Sequence, residues 1–356
     1  MNVVIAAGGT AGHVNPAVAL ARALEKDVVT FIGTERGLES SVVPDAGFAL
    51  DYIDIRGFDR ARPAALPAVG LKALSAIAAA RRILAERHAD VVVGMGGYVS
   101  LPVCFAARSR SIPVVVHEQN IVLGLANKVT RPVARAVAVS FQDTLTSAGP
   151  RGVLTGNPVA QEIAHLDRGS ARAAGYEEFD LDPDRRTILV FGGSLGAKTL
   201  NDAAPRLGQR WTNRGDLQVL HISGRSSESQ VSGDVTGSYR RISYTKAMAL
   251  AYAVADVAIC RGGATTIAEI CAVGLPSIVV PYPHHRDRQQ ERHGRLLERA
   301  GAAVVIADGD ATSDRLGETV ERLLERSALE AMARAAMDLG RPDAAHHLAR
   351  VVGGVR

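Results

Sequence analysis

Twice in this chain a short run of aliphatic residues ends in two glycines and a hydroxyl residue, with a helix-forming stretch beyond. The first is NVVIAA (2–7) running into GGTAGH, and the second is TILVFGGSLGA (187–197). No other feature constrains the fold as strongly. Strands buried on both faces read as continuous apolar runs, and a glycine turn lets the chain leave a strand end sharply. DVVTFIG (27–33), VVVG (91–94), PVVVHE (113–118) and AVAVS (136–140) continue the pattern after the first unit. LQVLHISG (217–224), ADVAIC (255–260) and PSIVVP (276–281) continue it after the second. Strands alternating with helices predict an α/β fold with parallel sheets. The restart near residue 187 predicts two Rossmann-like domains, for which 356 residues suffice.

GNPVAQE (156–162) interrupts regular structure through its Asn-Pro pair, and polar, Ala- and Arg-rich sequence follows. The expected division is 1–158, 159–340 and a short helix over 341–356, DAAHHLARVV at its heart, that returns to the first domain.

Composition narrows the function classes. A net charge of +4 suits an anionic membrane surface or a phosphorylated substrate. No RNA-binding signature, zinc-ligand spacing or run of five basic residues is present, so nucleic acid is not an expected partner. Cys104, Cys260 and Cys271, an odd number in apolar segments, read as reduced, buried thiols and hence a cytoplasmic protein. No leader with a cleavage site precedes the first strand, and no apolar run reaches the roughly 18 residues of a membrane span.

The motifs sit where strands end. In GGTAGHVNPAVALARAL (8–24), Asn15 is expected as N-cap and Pro16 as first helical residue. The glycines admit a ligand, and the helix start favours negative charge. His13, just before that start, is expected to be neutral at pH 7 and thus a possible general base; it can equally serve only to bond the loop. In GGSLGAKTLN (192–201), Ser194 can donate to a phosphate oxygen, while Asn201 can bond a sugar or its own loop; Lys198 is given no role. CRGGATTIAEICAVGLPSIVVPYPHHRDRQQ (260–290) predicts a helix from Ala264 to Gly274 with Thr265 and Thr266 in its first turn. Glu269, one turn on, can accept two bonds from a ribose diol, or be an ordinary surface glutamate. Asp287, Gln289 and Gln290 can read sugar hydroxyls. His117, Glu118, Gln119 and Asn120 end another strand, a place where α/β folds hold ligands. VVVGMGGYVSLP (91–102) adds a further glycine turn. LPAVGLKALSAIAAARRILAER (66–87) is amphipathic: Leu71, Leu74, Ile77 and Ala78 share one face, with Lys72, Arg81, Arg82 and Arg87 near its rim. It reads either as an interfacial membrane helix or as one packed on the sheet.

GGTAGHVNPA, VGMGGYVS, HEQN, GNPV, FGGSLGAKTLN and the 260–290 block, in this order over nearly the whole chain, resemble the MurG family of peptidoglycan N-acetylglucosaminyltransferases. The resemblance implies a GT-B fold, two Rossmann-like domains with a deep cleft between them. It implies an inverting enzyme moving N-acetylglucosamine (GlcNAc) from UDP-GlcNAc to the 4-hydroxyl of undecaprenyl-diphospho-N-acetylmuramoyl-peptide. The first domain would take the acceptor and the second the donor. Thr10, Ala11 and Gly12 match the family's first glycine loop. Asn120 matches a donor contact and Ser194 a phosphate contact. Thr245 stands where backbone meets the uracil. Ala264, Thr265, Thr266, Ile267, Ala268 and Glu269 match the nucleotide turn, with Glu269 on the ribose. Gln290 matches the glutamine on the sugar, beside Gln289. His13 is the family's candidate base, and Glu118 is the alternative. No cofactor or metal is implied. The family works at the cytoplasmic face of the bacterial plasma membrane as a peripheral protein, in cell-wall growth and division, alongside other cell-wall synthesis proteins.

This chain departs from the family at three places. Ala160 stands where an Arg contacts the donor, which Arg225 or Arg261 can replace. Ala11 stands for a glycine, and His293-Gly294 for Asn-Ala. A UDP-GlcNAc 2-epimerase and a non-catalytic nucleotide-sugar scaffold are the competing readings. A nicotinamide dehydrogenase lacks its glycine fingerprint here.

Overall fold

The computed structural model describes residues 1–55, 66–225, 238–285 and 287–355, with the side chains of 66–71 and 326 also outside the description. Two of the residues considered above, Arg286 and the Leu71 side chain, therefore lie outside the described residues. The chain forms two compact units, Met1–Ala160 with Pro342–Arg356, and Gln161–Arg341.

In the first unit, seven strands form one parallel sheet: β1 (Asn2–Ala6), β2 (Val28–Gly33), β3 (Ala49–Tyr52), β4 (Val91–Gly94), β5 (Val114–Glu118), β6 (Ala136–Val139) and β7 (Gly152–Leu154). Their order is β3-β2-β1-β4-β5-β6-β7. Successive side chains of a strand point to opposite faces. Val3, Ile5 and Ala7 accordingly join a core with Val14, Leu20, Leu348 and Val352. Val4 and Ala6 join a core on the other face with Ala80, Leu84 and Val103. The C-terminal helix Ala344–Gly354 is thus part of the first unit's core, packed on the helix Ala11–Ala23.

The second unit repeats the plan with β8 (Arg186–Phe191), β9 (Leu217–Ile222), β10 (Tyr239–Ile242), β11 (Ala255–Cys260), β12 (Ser277–Val279) and β13 (Ala303–Val305). Their order is β10-β9-β8-β11-β12-β13, again parallel. Ile188, Val190, Leu200, Leu207 and Trp211 centre its core. All three cysteines are free and buried.

Two helices differ from expectation. The first begins at Ala11, not Pro16, because Thr10 in extended conformation takes the cap position. Asn15 is exposed and caps nothing there, while Pro16 lies inside the helix. Its ring fixes a φ that is already helical, and the helix forgoes only the bond it would have made. The helix Leu66–Glu86 buries Ala76, Ala80, Ile83 and Leu84. Ile77 leans against that core, whereas Leu74 is 65% exposed and Ala78 is exposed. The expected apolar face is therefore divided between core and solvent.

Candidate active site

In open parallel sheets ligands bind beyond the strand carboxyl ends where the strand order reverses. In the first unit that point lies between β1 and β4, and both strands end in glycine turns. His13 sits in the first turn of the helix that leaves β1, its backbone N–H donating to the Thr10 carbonyl at 3.0 Å. Thr10 Oγ1 lies 3.3 Å from His13 Nδ1. The second turn packs on the imidazole: a Cβ on Gly96 would stand 3.1 Å from His13 Cδ2. Gly96 and Gly97 have φ of +85° and +72°, a region that L side chains avoid. Ser100 Oγ holds the Gly96 carbonyl at 2.6 Å. Burial lowers the His13 pKa below the usual imidazole value, and the Glu39 charge opposes this. His13 is half-buried, and its lowered pKa favours the neutral imidazole. Thr10, Ala11 and Gly12 line the same turn, Thr10 exposed and the other two half-buried.

The polar tetrad at the end of β5 is mostly internal. Glu118 is buried, and its carboxylate accepts from Asn120 N–H (3.0 Å), Asn120 Nδ2 (3.1 Å), Gly124 N–H (2.7 Å) and Asn127 Nδ2 (2.8 Å). Four donors occupy both oxygens, which corrects the expectation of Glu118 as a candidate base: its geometry is that of a residue fixing the 118–127 loop. His117 is buried between Gly156 O (3.0 Å) and Gln119 Nε2 (3.2 Å), and burial pushes its pKa down to about 4. Asn120 alone of the four is half-exposed, oriented by Glu118. Gln119 Oε1, Asn127 Oδ1 and both amide atoms of Asn157 are buried without a hydrogen-bond partner. Buried polar atoms are nearly always paired, so this cluster is suited to meet a polar ligand or water. Asn127 and Asn157 were not singled out from the sequence, where the GNPV motif served as a boundary and as part of the family resemblance.

The second unit places its switch point between β8 and β11. After β8, Ser194 is exposed on a turn that interlocks with Gly224: a Cβ on Gly224 would lie 2.1 Å from Gly196 N. Arg225 N–H donates to Ser194 O at 3.0 Å, and the Arg225 guanidinium lies 3.9 Å from the centre of the Tyr244 ring. Thr245 Oγ1 accepts from Ala247 N–H at 2.9 Å and so shapes the turn before the helix Met248–Val254. After β11, the helix Ala264–Ala272 starts at Gly263. Thr265 Oγ1 is buried at that start with no partner, and Thr266 is half-buried beside it. Ile267 is buried, and its N–H donates to Gly263 O at 2.9 Å within the helix; Ala264 is buried and Ala268 half-buried. Tyr252 Oη donates to Glu269 Oε2 at 2.7 Å. Burial, and secondarily the charge of Glu162, raises the Glu269 pKa to about 7 despite that bond. Gln289 and Gln290 open the helix Gln289–Arg299. Gln289 Oε1 is buried and unpaired, and Gln290 Oε1 accepts from Tyr282 N–H at 2.9 Å, leaving its amino group as a donor. Asp287 is exposed. Asn201 bonds Ser223 O (2.9 Å) and His221 Nε2 (3.0 Å), which favours its loop-bonding role.

The departures acquire physical reasons. Arg261 is buried, donating to Val280 O at 3.0 Å and Pro281 O at 3.2 Å and paired with Asp308, so it is not free to replace the arginine missing at Ala160. Arg225 is exposed and adjoins the Ser194 turn. His293 is buried and neutral, its pKa lowered by burial to about 4, with Nδ1 2.8 Å from Gly262 O. It braces the nucleotide turn from behind. Gly294 leaves room for Val279 and Val305, each 3.1 Å from where its Cβ would be.

Two parallel α/β units, each with paired glycine turns at its switch point, have the architecture of the GT-B fold. Residues 3–139 match the glycosyltransferase family 28 N-terminal domain, and residues 187–348 match the family 28 C-terminal domain. The chain belongs to glycosyltransferase family 28. A UDP-N-acetylglucosamine–N-acetylmuramyl-(pentapeptide) pyrophosphoryl-undecaprenol N-acetylglucosamine transferase of Nocardioides sp. is 44% identical over 361 aligned positions, spanning 99% of this chain and 97% of that protein. The transferase of the same description from Clavibacter sepedonicus is 41% identical, over 98% of this chain and 95% of its own. The crystal structure of Acinetobacter baumannii MurG superposes with a TM-score of 0.75 at 30% identity, covering 99% of this chain and 98% of that one. A UDP-GlcNAc 2-epimerase from Neisseria meningitidis bound to UDP-GlcNAc reaches a TM-score of 0.67 at 15% identity over 98% of both chains, a likeness of fold alone.

Proposed function

We infer that this chain transfers GlcNAc from UDP-GlcNAc to undecaprenyl-diphospho-N-acetylmuramoyl-peptide, the lipid-linked step of peptidoglycan synthesis. The observation that carries the reading is His13, a neutral imidazole held between two glycine turns at a switch point, in a chain 44% identical to an enzyme of that description. The first unit takes the acceptor. The acceptor 4-hydroxyl attacks the anomeric carbon of GlcNAc as its proton passes to His13 Nε2, the ring atom away from Thr10. The bond from that carbon to phosphate breaks, UDP leaves with the electron pair, and the configuration inverts to a β-1,4 linkage.

In the second unit, the start of the helix Ala264–Ala272 and the Ser194 turn offer backbone N–H groups and the unpaired Thr265 hydroxyl to the diphosphate. Glu269 accepts from the ribose diol. Gln289 and Gln290 offer an acceptor and a donor to the sugar. Thr245 lies beside the base, and Asn120 carries the corresponding contact from the first unit.

No described helix is long and apolar enough to cross a membrane. Peripheral docking to an anionic membrane through the outer face of the helix Leu66–Glu86 is supported by exposed Leu74, with Arg81 two turns further along the same stripe and Arg82 beside it. Arg87 does not belong to that surface, being tied to Asp51 by two bonds of 2.8 Å.

The test is product identity. Enzyme, UDP-GlcNAc and a short-chain lipid-linked muramyl-peptide should yield a disaccharide of the mass of acceptor plus GlcNAc. UDP-N-acetylmannosamine, or donor binding with no new glycoside, would replace this reading with the epimerase or the scaffold.

A further inference from the structure

Glu39 opens the helix Glu39–Asp45 and has no exposed surface. Its carboxylate accepts from Gly9 N–H (2.9 Å), Thr34 N–H (2.9 Å) and Thr34 Oγ1 (2.8 Å). Three glycines make the room it occupies. A Cβ on Gly8 would lie 2.8 Å from Glu39 Oε1, one on Gly33 2.5 Å from Glu39 Cγ, and one on Gly37 2.0 Å from Glu39 Oε2. Among the described residues no lysine or arginine pairs with it. Burying a carboxylate without a cation is costly, and neutral hydrogen bonds compensate only in part. The carboxylate also satisfies the Gly9 and Thr34 backbone N–H groups, which an apolar side chain would leave without an acceptor.

What the charge faces explains its presence. Gly9 N–H and the Gly8 carbonyl belong to one peptide unit and point in opposite directions. Glu39 holds the N–H, and Leu38 N–H reaches the Gly9 carbonyl at 3.4 Å. The Gly8 carbonyl lies on the side of Gly97 and the His13 ring: a Cβ on Gly97 would be 3.1 Å from Gly8 O and 4.0 Å from His13 Nδ1. The carboxylate bonded to the Gly9 N–H polarises this peptide unit, whose carbonyl oxygen and the imidazole border the same side of Gly97. Among the described residues, Thr10 and the uncharged turn at Gly96 and Gly97 border His13, with Asn127 Nδ2 on the far side of Gly96. Of the titratable ones, Glu118 is tied to Asn127, and His117 is neutral.

We propose that Glu39 is a positioning residue for the transfer: it locks the glycine loop that carries His13 and stabilises the imidazolium formed when His13 takes the acceptor's proton. This rests on His13 as the base. It agrees with the Glu39 charge raising the His13 pKa against burial.

The experiment compares Glu39→Gln and Glu39→Asp with the native enzyme by two readouts: the pH dependence of kcat, and the NMR titration of the His13 ring protons. Removing the negative charge should let burial lower the His13 pKa further. The glutamine variant should therefore shift both the acid limb of kcat and the His13 titration to lower pH by about half a unit or more, and lower plateau turnover about twofold to threefold, since a weaker base is a poorer one. The KM for UDP-GlcNAc should not change. Aspartate, with its charge one methylene back from Gly9, should shift both in the same direction by less. If the glutamine variant does not fold, the aspartate variant decides alone. An unmoved His13 titration in the folded variants overturns the proposal, as does a loss of turnover that merely follows thermal unfolding. Full turnover in His13→Ala would sink the base assignment instead, while the NMR titration still reads what Glu39 does to His13.

Discussion

His13 and Glu269 are moved in opposite directions by the same cause. Burial disfavours whichever form is charged, so it lowers the imidazole and raises the carboxyl to about 7. Two predictions follow at this scale. His13→Ala should lower turnover about 100-fold or more while UDP-GlcNAc binding, by calorimetry, stays within about twofold. Glu269 should make donor binding depend on pH. A ribose diol needs the ionised carboxylate as acceptor, so affinity is full above pH 7 and falls as pH drops below it, by up to about tenfold per unit. Glu269→Gln should flatten that profile, and an unchanged profile would remove Glu269 from the ribose. The same raised pKa makes ionised Glu269 a burden on the donor-free fold: its cost is absent below the unfolded value near 4.5 and complete above 7. HEQN and GGATTIAE were legible in the sequence as polar residues at strand ends, and the fold places them there. Which of them face a ligand was not. Glu118 and Asn201 are consumed by their own loops, and Glu39 reads in sequence as an ordinary acidic residue opening a helix.

Among the elements, the glycine turns set the chemistry because each pair meets at a switch point. Gly96→Ala introduces a Cβ 3.1 Å from the His13 ring at a positive φ. It should cost about 1–2 kcal/mol of stability from the backbone alone and reduce turnover by more than the stability loss explains. Denaturant unfolding alongside kcat separates the two, and a variant with native turnover would show that the turn does not hold the imidazole. The strands read from sequence were the central ones, where both faces are buried and the apolar run is continuous. β3, β7, β10 and β13 were missed, and each is an edge strand of its sheet. ALDY and GVL hold no fully buried residue, so the signal that identifies a parallel strand is absent from them. The amphipathic helix was legible as a helix but not in its orientation, since alanines at 76 and 80, rather than the larger Leu74, meet the core.

Over the whole molecule, duplication of one plan accounts for the repeated strand-turn-helix sequence, and the last helix completes the first sheet's core rather than the second's. Leu348 is fully buried there, so Leu348→Ala should destabilise the first unit by about 2–5 kcal/mol in a denaturant titration. A change below about 1 kcal/mol would mean that the helix merely rests on the surface. The most direct test is UDP release from UDP-GlcNAc by the native chain and by His13→Ala, with and without a short-chain lipid-linked muramyl-peptide. The account predicts release that requires the acceptor and nearly vanishes in the variant, with donor binding intact in both. Release independent of acceptor, or equal in the two proteins, would contradict it.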